Sequence, residues 1–452
     1  MKVEKSIFRE YDLRGIADKE LTPEFAFGLG QAFADYLGKE GTAKKVVVGH
    51  DNRKTSPALS EKLMAGLQAS GVEVTFLGEV PTPVFYLANH KYSFPAGIMV
   101  TASHNPPAYN GFKLVVRHKS IFGQQIQSLW EIMEGLEPLP SPEKILYQKL
   151  EMAPEYTSEI KARIRLVRPV KVVVDCGNGT AGPLTTAILS EIGAEVIPLY
   201  CESDNTFPHH LPDPVVPANM ADLIKKVGET GAELGIGIDG DGDRIGLCDE
   251  EGNLIWGDKI LALLSRDILT ENPGVPIVFD VKCSKALEEE IARLGGKPIM
   301  WKTGHSLIED KMHEIGAPAA GELSGHLYFG DSWYGFDDAI YSASRFLQYL
   351  SGQKAKLSQL VAGLTPYYAT PEIRVEIPDE KKFNLVERLK EELSGKYNVS
   401  TIDGVKVYFE DGWGLVRASN TQPALVLRFE AKTEKRLLEI QSFLTTLLHS
   451  LR

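Results

Sequence analysis

Three carboxylates stand at alternate positions in Asp239-Gly240-Asp241-Gly242-Asp243-Arg244. The intervening glycines let the backbone curl so that the acids converge instead of alternating across a strand. Three uncompensated negative charges repel, and a hard cation relieves them. An all-oxygen donor set with no Cys or His favours Mg²⁺ over Zn²⁺. A solvated acidic turn is the plain alternative, and two other rival readings fail. From Asp239 to Glu250 the acidic residues imitate a calcium loop, but Arg244 stands where that loop needs glycine. Gly235, Gly237 and Gly240 match a dinucleotide fingerprint, yet a pyrophosphate would meet three aspartates and no helix N-terminus.

A second loop, Thr101-Ala102-Ser103-His104-Asn105-Pro106, ends the small apolar run from Pro95 to Val100. Pro106 and Pro107 prevent a smooth continuation as helix or central strand. A serine presented this way suits covalent group transfer, although Ser, Asn and Pro equally make an ordinary turn. A third, Gly321-Glu322-Leu323-Ser324-Gly325-His326, reads as an extended loop. There Glu322 and Ser324 point the same way to grip vicinal hydroxyls; a glycine-rich hairpin turn is the competing reading. A fourth, Arg417-Ala418-Ser419-Asn420-Thr421-Gln422-Pro423, gathers a guanidinium, two hydroxyls and an amide. That suits a phosphate cradle, or equally a polar hairpin connection. Arg14, Lys113, Arg244, Lys282 and His305 supply positive charge near such loops. His209-His210 lacks a third ligand and reads as loop, and Asp175 to Thr180 reads as a turn and cap.

Elements of one kind position these loops. Val46-Val47-Val48, Val172-Val173-Val174 and Ile277-Val278-Phe279 are apolar strands, each followed by a helical stretch and then a strand after glycine at Gly71, Gly193 or Gly295. Each block then reaches a strand of small residues ending in one of the first three loops. Such alternation predicts α/β domains with ligands beyond the carboxyl ends of the strands. The tail differs: a strand over 372–377, a helix over 382–394, two late strands and a helix over 434–451 predict a smaller α+β domain. The fold class is therefore α/β, with three related mixed α/β domains plus a smaller C-terminal α+β domain around a central cleft. The expected boundaries are 1–150, 151–255, 256–366 and 367–452.

Composition bounds the partners. The 452 residues are 43% hydrophobic and 24% charged, with a net charge of −12. That balance argues against nucleic acid and for a locally basic cleft if the ligand is a small anion. No apolar run reaches the roughly 18 residues of a membrane span. The first residues show no signal-peptide pattern, and the scattered Cys176, Cys201, Cys248 and Cys283 read as reduced thiols, so a cytoplasmic location is expected.

Taken in order, the four loops resemble the signature loops of the α-D-phosphohexomutase superfamily. Phe8-Arg9-Glu10-Tyr11-Asp12-Leu13-Arg14-Gly15 and Trp333-Tyr334-Gly335-Phe336-Asp337-Asp338 extend the resemblance across essentially the whole chain. It implies reversible phosphoryl transfer between the 1- and 6-positions of a hexose phosphate. It further implies Mg²⁺, a phosphoserine at Ser103 and a hexose 1,6-bisphosphate as activator and intermediate. Catalytic positions are then Ser103, His104, Arg14, Lys113, Arg244 and His305; metal ligands are Ser103, Asp239, Asp241 and Asp243. Sugar- or phosphate-binding positions are Tyr11, Lys282, Glu322, Ser324, His326, Arg417, Ser419, Asn420 and Thr421. Leu323, apolar between Glu322 and Ser324, and the stretch 333–338 resemble the phosphomannomutase/phosphoglucomutase branch. A phosphoglucosamine mutase is the neighbouring alternative; a serine-dependent sugar phosphatase or a non-catalytic sugar-phosphate binder belongs to other classes. The implied partners are small hexose phosphates, with no nucleic acid and no membrane, on a monomer or homodimer.

Overall fold

The computed structural model describes residues 2–420 and 422–451. The chain forms two compact units, one of residues 1–260 with 324–359 and one of residues 261–323 with 360–452.

The same strand-helix-strand-helix-strand block occurs three times. In the first unit it runs Lys45–His50, Ser56–Ala69, Glu73–Glu79, Thr82–Lys91, Ala96–Val100, and again Lys171–Asp175, Gly182–Glu191, Glu195–Leu199, Ala221–Thr230, Leu234–Ile238. In the second unit it runs Pro276–Asp280, Lys285–Arg293, Lys297–Trp301, His305–Ile315, Ala319–Gly321. Within each block the first strand lies between the second and third, all parallel. The first strands are buried through Val46–Val48, Val172–Val174 and Ile277–Phe279, as β-branched runs covered on both faces should be. Gly71, Gly193 and Gly295 each take a left-handed φ between the first helix and second strand, a turn that other residues adopt at a cost.

This order has a consequence for chemistry. Because the third strand pairs with the first, the loop leaving the third lies beside the loop leaving the first. In the first unit both sheets are mixed: Tyr109–Val116 runs antiparallel to Ala96–Val100, and Ile245–Asp249 to Leu234–Ile238. The reactive loops are thus the tight returns at those strand ends. In the second unit the tail forms a wholly antiparallel sheet in which Ala424–Ala431 pairs with Gly412–Ala418, Ile373–Glu376 and Tyr368–Ala369. Helices Asp379–Leu393 and Glu434–Ser450 pack on it through Leu389, Leu393, Ile440 and Leu444. The tail holds more strands than the sequence predicts. Tyr368–Ala369, exposed, and Asn398–Ser400, half-buried, are short edges with no apolar run to announce them.

Candidate active site

Ser103 sits at the tip of its loop, 3% exposed, with φ at 50°, a left-handed conformation uncommon for serine. Its Oγ donates to Asp239 Oδ2 at 2.6 Å and lies 3.0 Å from His104 Nδ1. Asp239 Oδ1 accepts the backbone N–H groups of Gly242, Asp243 and Arg244 at 2.9–3.1 Å, which curls the acidic loop around its own first residue. Gly240 is pressed so closely that a Cβ there would stand 2.5 Å from the Ser103 carbonyl oxygen. The serine and aspartate loops therefore touch backbone to backbone.

The three aspartates are all but completely buried, and one carboxylate oxygen from each lies within 4.8 Å of the others. Asp241 Oδ2 accepts from Thr82 at 2.6 Å and Thr101 at 3.2 Å, while Lys113 Nζ bridges Asp241, at 3.2 Å, and Asp243. Burial, reinforced by Asp243 and Asp241, pushes the Asp239 carboxyl well above the usual range. For Asp243 burial acts in the same direction, but Lys113 and His326 overcome it and hold that carboxyl well below its ordinary value. Burial opposes the charge of Lys113, yet the two aspartates keep it firmly protonated. Among the described residues Asp241 Oδ1, although buried, meets no hydrogen-bond donor, and Asp243 Oδ1 has only His326 Nε2 at 3.4 Å. Such an all-oxygen set with unused lone pairs fits a hard dication, so Asp239, Asp241 and Asp243 are the residues that would hold Mg²⁺.

Basic groups surround this cluster. Arg244 Nε donates to His326 Nε2 at 3.2 Å, and its Nη1 is 3.5 Å from His104 Nε2. His326 Nε2 also lies 3.4 Å from Asp243 and 3.7 Å from Asp337. Burial, with Arg244 and Arg14 nearby, drives the His104 pKa well down, which keeps the imidazole neutral. Arg14 donates to Asn105 Oδ1 at 2.7 Å, and Tyr11 is buried just before the strand carrying Arg14. Asp338, next to Asp337, accepts from Tyr156 Oη, Trp333 Nε1 and the Tyr341 N–H. The aromatic-acidic stretch 333–338 is thus a buried clamp.

The second unit holds the remaining candidates. Lys282 Nζ pairs with Glu372 at 2.8 Å and lies 3.6 Å from Asp280; its charge lowers the Glu372 pKa to about 2. Glu322 Oε2 accepts the Gly304 N–H at 3.2 Å, adjacent to His305 at the start of its helix. Arg417 Nε donates to Asp403 at 2.9 Å, and the same carboxylate accepts the Thr303 N–H at 3.0 Å. Lys382 ties down the 419–422 loop through the carbonyls of Ser419 and Gln422. Ser419 Oγ accepts the Gln422 N–H at 3.1 Å, Asn420 is half-buried, and Thr421 lies outside the described residues.

One expectation is corrected. The 321–326 loop is a turn, with Gly325 at φ 90° and a Cβ there 2.1 Å from the Ile245 carbonyl oxygen. Glu322 and Ser324 therefore do not present their side chains along an extended strand: Ser324 Oγ is instead 3.3 Å from His326 Nδ1. Sequence reasoning also missed Arg53, Asp337, Glu372 and Asp403. For Arg53 a signal existed, because Asp51-Asn52-Arg53 follows the first strand of its block, beside the serine loop.

Comparison with known proteins places this geometry. Residues 5–138, 154–252 and 256–368 match the profiles of phosphoglucomutase/phosphomannomutase alpha/beta/alpha domains I, II and III, and residues 372–447 match the C-terminal domain. The chain belongs to the phosphoglucomutase/phosphomannomutase family. It is 45% identical over 441 residues to a phosphomannomutase/phosphoglucomutase of Pseudomonas aeruginosa, covering 97% of this chain and 94% of that one. It is 39% identical to a phosphoglucomutase of Neisseria gonorrhoeae, covering 97% and 96%. A crystal structure of a family member from Burkholderia thailandensis superposes with a TM-score of 0.92 at 41% identity, covering 100% of this chain and 98% of that one.

Proposed function

We propose that this phosphohexomutase interconverts the 1- and 6-phosphates of mannose and glucose, with Ser103 as the phosphoryl carrier. The observation that supports it most is the contact of the Ser103 hydroxyl, at 2.6 Å, with the buried aspartate cluster. In the forward half-reaction the free hydroxyl oxygen of a hexose monophosphate bonds to the phosphorus of phospho-Ser103. The Ser103 Oγ–P bond breaks, the sugar hydroxyl loses its proton, and the serine oxygen gains one. The bound 1,6-bisphosphate returns its other phosphoryl group to Ser103 in the second half-reaction.

His104, neutral and 3.0 Å from Ser103 Oγ, exchanges the serine proton in this account. Lys113, Arg244 and Arg14 neutralise the equatorial oxygens of the transferring group, which is where phosphoryl transfer needs charge. Mg²⁺ held by Asp239, Asp241 and Asp243 supplies further positive charge when bound. Lys282, Glu322 and His305 serve the sugar, and Arg417, Ser419 and Asn420 the phosphate that does not react. In this reading Ser324 and His326 also serve the sugar. The mannose/glucose preference rests on Leu323 between Glu322 and Ser324, and on the names of the two bacterial relatives.

A parallel assay of mannose, glucose and glucosamine 1-phosphates, with Mg²⁺ and catalytic bisphosphate, tests the reading. Turnover of the first two by at least about tenfold over the third is expected, a difference within reach of a few pocket contacts. Preference for glucosamine 1-phosphate would refute the assignment, as would release of inorganic phosphate as the main product.

A further inference from the structure

We propose that Arg53 is the positioning residue that holds Ser103 ready for phosphoryl transfer. Its side chain is 1% exposed, and all of its N–H directions are used. Nη2 donates to the carbonyl oxygens of Ser103 at 2.7 Å and Asn105 at 2.6 Å. Nη1 donates to those of Pro106 at 2.9 Å and Tyr109 at 3.1 Å, and Nε to Asp51 Oδ2 at 3.1 Å. One guanidinium therefore gathers four carbonyls between Ser103 and Tyr109, from the serine to the start of the next strand.

The loop needs such a device. Pro106 and Pro107 give it no N–H with which to bond onward, and Ser103 carries a left-handed φ that persists only where surroundings impose it. Buried loop carbonyls need a donor: that of Pro106 also accepts the Tyr109 N–H at 3.0 Å, and Arg53 serves those of Ser103 and Asn105. Arg53 reaches them because the first strand of the block pairs with the third, which makes their exit loops neighbours. Asp51 steadies the arrangement through the Arg53 N–H and Ser56 Oγ, and the Phe207 ring lies 5.4 Å from the guanidinium. The guanidinium bonds the Ser103 backbone, not its Oγ, so it acts through the loop. A lysine, a compact ammonium with three donors, cannot span four carbonyls in one plane.

The inference rests on Ser103 as the carrier, and the experiment separates the two. Arg53→Lys, Asp51→Asn and Ser103→Ala are compared by circular dichroism, by kcat and KM for mannose 1-phosphate, and by the rate at which glucose 1,6-bisphosphate phosphorylates the protein, read from intact mass. Arg53→Lys should stay folded while kcat and phosphorylation rate fall about 100-fold, the usual scale for a misplaced reacting group, with KM within about threefold. Asp51→Asn unbalances the buried pair but leaves the four carbonyl bonds, so it should lower the melting temperature while kcat and phosphorylation rate fall less than in Arg53→Lys. If Arg53→Lys does not fold, Arg53→Ala read with and without methylguanidinium decides, with at least tenfold recovery of phosphorylation expected. Near-parent kcat in Arg53→Lys would overturn the proposal, as would equal losses in Arg53→Lys and Asp51→Asn, or no recovery with methylguanidinium. Phosphorylation of Ser103→Ala at the parent rate would instead remove the carrier assignment itself.

Discussion

Lys113 is a cation built into a site whose carboxylates call for a dication, and its removal makes a sharp prediction. Its ammonium contacts Asp241 and Asp243, and all three side chains are at most 5% exposed. In Lys113→Met the hydrocarbon volume is kept and the charge is lost. Breaking a buried pair by deleting one partner costs about 3–5 kcal/mol, because the remaining charge stays buried without compensation. For a unit of this size that lowers Tm by roughly 5–8 °C in EDTA. Mg²⁺ should then restore more stability to the variant than to the parent, since nothing competes for the aspartates. An ion at 100 times its Kd contributes about 2.7 kcal/mol. Thermal unfolding of both proteins, with EDTA and with a Mg²⁺ series, reads this out. Equal Tm values in EDTA, or equal gains with Mg²⁺, would refute the view that Lys113 and the metal answer the same charge.

Glu372 gives a pH signature in the second unit. Its pKa falls from 4.5 to about 2 beside Lys282, so its stabilisation is present above about pH 4.5 and disappears as the pH drops toward 2. The shift corresponds to about 3 kcal/mol, so urea unfolding should show a gap of that order between parent and Glu372→Gln at pH 7 that closes through this window; a pH-independent gap would contradict it. Gly240→Ala places a methyl carbon 2.5 Å from the Ser103 carbonyl oxygen. It should destabilise by about 1–3 kcal/mol and lower kcat at least tenfold, measured by thermal melting and steady-state assay.

Much of the architecture was legible because its signals are local. Val46–Val48, Val172–Val174 and Ile277–Phe279 are β-branched or aromatic runs, and the glycines at 71, 193 and 295 mark the same turn three times. The acidic loop is legible for the same reason, its spacing being contained in six residues. What escaped is held by distant partners. Arg53 works on carbonyls some 50 residues along the chain, so only its place after the first strand of its block hinted at it. Glu372 meets Lys282 across 90 residues, and Asp403 draws Arg417 and Thr303 together from different segments. The 321–326 turn was misread because alternation in sequence implies a common face only if the backbone is extended. Here Leu323 and Ser324 form a turn instead.

The most direct test of the account is where the phosphoryl group goes. The parent protein is incubated with Mg²⁺ and glucose 1,6-bisphosphate, digested and mapped, beside Ser103→Ala. One phosphoryl group is expected on Ser103 in the parent and none in the variant, with a loss of mutase activity of at least about 10³-fold in Ser103→Ala. A phosphoryl group on another residue, or near-parent turnover without the Ser103 hydroxyl, would contradict it.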